Sequence, residues 1–248
     1  MKVSIITASY NRAEMIKDMF ESLRQQTHAK IEHIIVDGAS TDNSIEVIKA
    51  LKIPNTKFIS EPDKGIYDAW NKGLEMATGD IVGFLNSDDF YPHNDIIAAL
   101  VKTFEETGKD SVFGDVDYVK PYQLNKPVRH YSSKKFNPDR FAYGYMPAHP
   151  SFFVKREFYQ RYGGFRLDYK IAADFEMMVR LLHTKSISYH YINKVCVHMR
   201  TGGISNSSLR NRLLLNQEIV RACHDSGIRT SLPKVLRKTF SKLLEHRF

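Results

Sequence analysis

The sequence predicts an α/β protein with a mainly parallel, Rossmann-like mixed sheet flanked by helices, followed by a helical C-terminal extension. Three observations carry this: strand and helix patterns alternate over the first half with short connections, each early strand ends in a polar loop, and the last segment changes in charge and periodicity. Lys2 to Thr7 reads as the first strand and Arg12 to Gln25 as the first helix. Ile31 to Val36 forms the second strand, with a helix near Asn43 to Leu51 capped by Asp42 or Thr41. Lys57 to Ser60 is a short third strand, and Gly65 to Ala77 a helix that Gly79 ends. Asp80 to Leu85 is an apolar fourth strand, and a further helix starts near His93. Alternation of this kind implies right-handed crossovers between parallel strands.

The 248 residues suffice for one large domain with an appendage, and 42% hydrophobic with 26% charged residues is ordinary for a globular chain. No apolar run reaches the roughly 20 residues that span a bilayer, and the N-terminal apolar stretch is too short for a signal peptide, so the expected location is the cytoplasm. Cys196 and Cys223 are too few for a disulfide framework and lack zinc spacing, and both read as core thiols. The net charge of +8 is concentrated: residues 199–248 alone carry +7. A nucleic-acid binder would spread Lys and Arg over its binding face with aromatic residues among them, so nucleic acid is not an expected partner.

The first four strands each end in polar residues on one edge of the sheet, at Thr7 to Asn11, Asp37 to Asp42, Glu61 to Gly65 and Asn86 to Asp89. Open α/β sheets bind ligands there. The adjacent Asp88 and Asp89 are the most informative pair, because two carboxylates so close repel unless a cation lies between them. Hard oxygen ligands suit Mg2+ or Mn2+, which also bind substrate phosphates. A solvated, capping Ser-Asp-Asp turn is the structural alternative. The chain has neither a GxGxxG after the first strand nor a GxxxxGK[ST], so a nucleotide diphosphate must be held in another way.

Three segments together resemble the family 2 glycosyltransferases: Val3-Ser4-Ile5-Ile6-Thr7-Ala8-Ser9-Tyr10-Asn11-Arg12, Ile34-Ile35-Val36-Asp37-Gly38-Ala39-Ser40-Thr41-Asp42, and Gly65-Ile66-Tyr67-Asp68-Ala69-Trp70-Asn71-Lys72-Gly73. The resemblance runs from Met1 to about Arg180, with a weaker echo to Ser205. It implies the GT-A fold over 1–205, with a nucleotide-sugar half to about 115 and an acceptor half beyond, ahead of a basic helical extension over 206–248. The region from Gly114 to Gly144 is expected to shape the acceptor site. The implied activity is inverting, metal-dependent transfer of a sugar from a nucleotide diphosphate, a UDP-sugar by expectation, to a glycan or lipid-linked glycan of the cell envelope.

The resemblance also implies roles. Asp37 and Asp63 would face the uracil or ribose with Thr7, Ser9 and Tyr10 beside the base, and Lys64 would counter the diphosphate. Asp89 would be the principal metal ligand, Asp88 would share the metal or hold the ribose, and Asn86, where the family often has an aspartate, would touch ribose or sugar. Inversion needs a carboxylate to take the acceptor proton. That base is Asp174, at the start of a helix where a plain N-cap is the alternative, with Glu176 a first-turn dipole partner. His198 is a candidate metal or diphosphate ligand and Arg200 a phosphate contact, both beside a Gly-rich segment suited to a lid. His149 and Trp70 are candidate acceptor contacts that could equally be core.

In the tail, Leu232, Val235, Leu236, Phe240, Leu243 and Leu244 recur at helical spacing among Lys and Arg. Such a helix can lie on an anionic membrane surface, giving a peripheral association at the inner face of the plasma membrane, or pack on the domain or another subunit. Two other classes compete with the transferase: a non-catalytic scaffold on the same fold and a nucleotidyltransferase. A scaffold has no need of Asp37, Asp88, Asp89 and Asp174 together, and a nucleotidyltransferase would carry glycine in the loop that here reads Ala8-Ser9-Tyr10-Asn11-Arg12.

Overall fold

The computed structural model describes residues 1–202 and 208–237. Its strands are β1 (Val3–Ser9), β2 (Ile31–Asp37), β3 (Thr56–Ser60), β4 (Ile81–Phe84), β5 (Ser111–Lys120), β6 (Gln123–Tyr131), β7 (Phe152–Lys155) and β8 (Tyr189–Arg200). The sheet runs β3-β2-β1-β4-β7-β5-β6, with β8 paired to the other edge of β5. The first four strands are mutually parallel, β7 and β6 run antiparallel to their neighbours, and β8 is parallel to β5. All four polar loops named above therefore leave one edge of the sheet, as the alternation of the sequence requires.

Side chains alternate across a strand, so successive residues of β1 serve opposite layers. Ile5 packs with Ile16, Met19, Phe20 and Leu23, the i, i+3, i+4, i+7 stripe of α1 (Ile16–Arg24). Ile6 packs on the other face with Trp70 of α3 (Ile66–Met76) and with Phe84. The first layer also holds α2 (Ser44–Leu51) and α4 (Ile96–Thr107) through Ile48, Ile97 and Leu100. The second holds α5 (Arg156–Tyr162), α6 (Ala173–Met178) and α7 (Leu209–Asp225) through Tyr159, Phe175 and Ile219. Gly83 lets the two halves of the sheet close, because a Cβ there would lie 2.2 Å from the Phe153 ring.

Several boundaries differ from the sequence reading. α1 begins at Ile16 rather than Arg12, because Asn11 turns with φ +52° and the next amides serve the following loop: Arg12 N–H donates to Ser44 Oγ (2.8 Å) and Ala13 N–H to Asp42 Oδ2 (3.4 Å). The N-cap position of α2 is Asn43, although Asp42 still accepts the Ser44 N–H (2.9 Å). α3 ends at Met76, three residues before Gly79, whose N–H donates instead to Ser4 Oγ (2.8 Å). Both cysteines are buried and unpaired, and burial pushes each thiol up to about 12. In the tail, 232–237 is helical with Val235 buried. Phe240, Leu243 and Leu244, and the segment 203–207 of the expected lid, lie outside the described residues.

Candidate active site

The chain leaves β4 in a tight turn in which Asp89 N–H donates to Asn86 O (3.1 Å). This folds Asp89 inward to 2% exposure, while Asp88 stays half-buried. Asn86 Nδ2 donates to Asp89 Oδ2 (2.8 Å), and the Arg200 N–H reaches Oδ1 (3.3 Å). Asn86 thus holds Asp89. Burial, and then the neighbouring Asp88 charge, push the Asp89 carboxyl well above the usual carboxylate range. Beside the pair, Asn86 Oδ1 is buried without a hydrogen bond among the described residues.

His198 comes to this loop because β8 forms a bridge to it, His198 and Phe90 exchanging backbone hydrogen bonds of 2.9 and 3.1 Å. Its Nε2 lies 3.9 Å from Asp117 Oδ2. Burial lowers the imidazole pKa, with Asp117 partly opposing, so the ring is neutral near pH 7 and has a lone pair to offer. Arg200, two residues on, has a different role from the expected phosphate contact. Its side chain is 4% exposed, bonded to the Asp88 carbonyl and to Asp18, and stacked over Phe90. The guanidinium is spent inside the protein, fastening β8 to the β4 loop.

The loops after β1 and β2 are sewn together. Asn11 Oδ1 accepts from the Thr41 and Asp42 amides (2.8 and 3.3 Å). Asp37 is fully buried, its Oδ2 accepting from Ser40 N (2.9 Å) and Ser60 Oγ (2.7 Å) and its Oδ1 from Ser40 Oγ (2.5 Å). Asp63 lies over the same turn: a Cβ on Gly38 would stand 2.6 Å from its Oδ2, so a larger residue there would displace the Asp63 carboxylate. Ser9 is buried beside them, Tyr10 is 57% exposed and Lys64 is exposed. Thr7 corrects the sequence reading, because it is fully buried with its Oγ1 3.1 Å from His33 Nε2 and presents nothing to a ligand.

Asp174 sits in the first turn of α6, whose N-cap position is Ala172, so it is not the cap. Its Oδ1 accepts from Phe175 N–H (2.8 Å) and lies 3.5 Å from the Tyr67 hydroxyl, which donates to Ile171 O (2.5 Å). Burial, and then the Asp174 charge, raise the Tyr67 pKa, so this phenol stays a donor. Glu176 lies in the first turn as expected and is also a buried anchor. It pairs with Arg180 (3.0 Å), which grips the carbonyls of Tyr162, Gly163 and Gly164.

Trp70 and His149 are the other corrections. Each is 4% exposed, their rings are 4.7 Å apart, and Phe84 and Phe165 complete the cluster, so both belong to the core and neither faces an acceptor. Burial lowers His149 from 6.5 to about 3. The unfolded chain takes up this proton near pH 6.5 and the folded one only near 3, so stability falls as pH drops through that window. His149→Phe is expected to flatten that loss in denaturant titrations at pH 4 to 6. An unchanged slope would contradict the burial argument.

The family model described as Glycosyl transferase family 2 matches residues 4–163. The chain belongs to glycosyltransferase family 2. An uncharacterised glycosyltransferase of Mycobacterium tuberculosis is 32% identical over 182 residues, 72% of this chain and 68% of the relative. A glycosyltransferase of PGL/p-HBAD biosynthesis from Mycobacterium bovis is 27% identical over 216 residues, covering 85% and 82%. Among solved structures, S. aureus TarS 1-349 in complex with UDP-GlcNAc superposes with a TM-score of 0.72 at 17% identity, covering 97% of this chain and 73% of that one. The mannosyltransferase PcManGT from Pyrobaculum calidifontis, in complex with GDP-Man and Mn2+, gives 0.62 at 19% identity over 98% and 80%. These likenesses show the GT-A fold.

In this family 2 glycosyltransferase the structure thus gathers Asn86, Asp88 and Asp89 in the loop after β4, bridges that loop to β8 at His198, whose ring turns toward Asp117, and lays Asp63 over the turn that follows Asp37. Sequence reasoning missed Asp18 and Asp117 and gave Tyr67 no part in the site. Asp117 had a signal, since Asp115 and Asp117 alternate on one strand and so share a face. Asp18 had none, because its partner Arg200 is 182 residues away.

Proposed function

We propose that this glycosyltransferase moves a sugar from a UDP-sugar to a glycan or lipid-linked glycan of the cell envelope, with inversion and with Mn2+ or Mg2+. The observation that carries the reading is the β4 loop, where Asp89 is buried against Asp88 and the neighbouring Asn86 Oδ1 is buried with no hydrogen bond among the described residues. Such a set fits a cation: it offers hard oxygen donors, and a positive charge would offset the burial and the Asp88 repulsion that hold Asp89 above its usual range. Among the described residues no cluster of three or more His, Cys, Asp or Glu stands ready for a metal. A cation that takes part of its shell from substrate phosphates needs no such cluster. Asp88 and Asp89 would hold it, and when bound it would neutralise charge on the departing diphosphate; the His198 ring, turned toward Asp117, is not in that set.

The chain's own residues supply the rest. Asp37 fixes the turn over which Asp63 lies, and together with Ser9 and Tyr10 they frame the nucleoside, with Lys64 at the mouth for the diphosphate. Asp174 takes the proton of the acceptor hydroxyl as that oxygen bonds to the anomeric carbon and the bond to the diphosphate oxygen breaks. The Phe175 N–H orients the carboxylate. One displacement from the face opposite the leaving group inverts the anomeric centre. Screening UDP-sugars for turnover, then reading the anomeric coupling constant of the product by NMR, tests this: a product with the donor's configuration would overturn inversion.

Among the described residues no helix is long and apolar enough to cross a membrane. We place the basic tail at an anionic membrane surface, where it would keep the enzyme near a lipid-linked acceptor. Support comes from the charge of residues 199–248 and from Leu236, 37% exposed beside buried Val235. Deleting Pro233 to Phe248 should reduce co-sedimentation with vesicles containing anionic lipid, and undiminished binding would exclude the tail.

A further inference from the structure

α6 is a short helix with an alanine at its N-cap, whose side chain makes no cap hydrogen bond. The turn that leads into it is held from elsewhere. Glu218, on α7 and 6% exposed, accepts three backbone N–H groups from consecutive residues: Lys170 on Oε1 (2.8 Å), and Ile171 and Ala172 on Oε2 (both 2.9 Å). From the opposite side, the Tyr67 hydroxyl holds the Ile171 carbonyl (2.5 Å). The turn is thus gripped by its N–H groups and by a C=O, two residues before Asp174.

We propose that Glu218 is a positioning residue for Asp174: by clamping the 170–172 turn, α7 sets the place and direction from which that carboxylate meets the acceptor. This rests on the reading of Asp174 as the base. The clamp is built as a rigid part. Ile219, Ala222 and Cys223 bury the adjoining face of α7. Arg221 pairs with Asp168, and Asp225 with Arg166 and the Tyr169 hydroxyl, which ties α7 to the chain entering the turn. A carboxylate is suited to the task because it is acceptor-only and takes several N–H bonds at once. Glutamine keeps one accepting oxygen and turns an NH2 toward an N–H donor, so part of the clamp is lost without a change of volume. The consequence is that α7, which lies beyond the 4–163 match to the family model, is part of the machinery of this chain.

The experiment compares Glu218→Gln, Asp174→Asn and the double variant in steady-state turnover, with Gln217→Ala as a control on the exposed side of α7 that should leave turnover at the parental level. Glu218→Gln is expected to lower kcat about tenfold with donor KM and UDP affinity within twofold, because the nucleotide loops are untouched. Its amides at 170–172 should exchange faster while the rest of the sheet keeps its protection. In the Asp174→Asn background the same change should alter the rate by less than twofold, since misplacing a base that is already absent costs nothing. Tyr67→Phe, which releases the turn from the other side, should show the same split between kcat and KM. Parental kcat in Glu218→Gln alongside a crippled Asp174→Asn overturns the proposal and leaves the base reading intact. So does a tenfold loss that persists in the Asp174→Asn background, or failure of Glu218→Gln to fold, since either makes the role global support. Parental turnover in Asp174→Asn removes the base reading and this proposal together.

Discussion

Asp174→Asn is expected to lower kcat about 1,000-fold while leaving UDP affinity within about threefold, the usual range for loss of a positioned general base being about 10²–10⁴. The asparagine oxygen can still accept from Phe175 N–H, so the first turn of α6 keeps its geometry and the loss is chemical. Single-turnover rates with saturating donor read the effect without interference from product release. A variant that turns over at the parental rate would exclude Asp174 as the base, whereas equal losses in donor affinity and rate would assign it to binding.

Asp89→Asn is the second large effect. The buried carboxylate is held well above its usual range by burial and by Asp88, so its charge is a liability to the fold unless a cation offsets it. Asparagine removes the charge and can still accept from Asn86 Nδ2. The metal-free variant is therefore expected to be as stable as the parent or more so, while kcat/KM drops about 1,000-fold, roughly 4 kcal/mol at 1.36 kcal/mol per tenfold. This is the pattern of a residue kept for function at a cost in stability. Thermal unfolding in chelator and initial rates in Mn2+ measure the two halves. A destabilised variant with parental kcat/KM would make Asp89 a structural cap.

What the sequence made legible follows from the range of the forces involved. The parallel half of the sheet could be read because apolar strands and polar loops repeat at short, regular spacing, and Asp88 and Asp89 because they are adjacent. Asn86 was readable as a polar neighbour but not as the donor that holds Asp89, which depends on a turn of four residues closing on itself. Trp70 and His149 carry the same residue types whether they stack on a sugar or on Phe84 and Phe165, and only packing separates the two. Long-range pairings had no local trace. Arg200 with Asp18, and Glu218 with the 170–172 turn, join residues that nothing in the one-dimensional pattern connects. The late start of α1 has the same origin, since the amides of Arg12 and Ala13 are taken by a loop some 30 residues on.

The central claim is that the β4 loop is a nucleotide diphosphate site completed by a divalent cation. Calorimetric titration with UDP, with and without Mn2+, on the parent and on Asp89→Ala, tests it most directly. The account expects binding to the parent that needs Mn2+ and disappears in Asp89→Ala. UDP binding equally strong without metal, or undiminished in the variant, would contradict it.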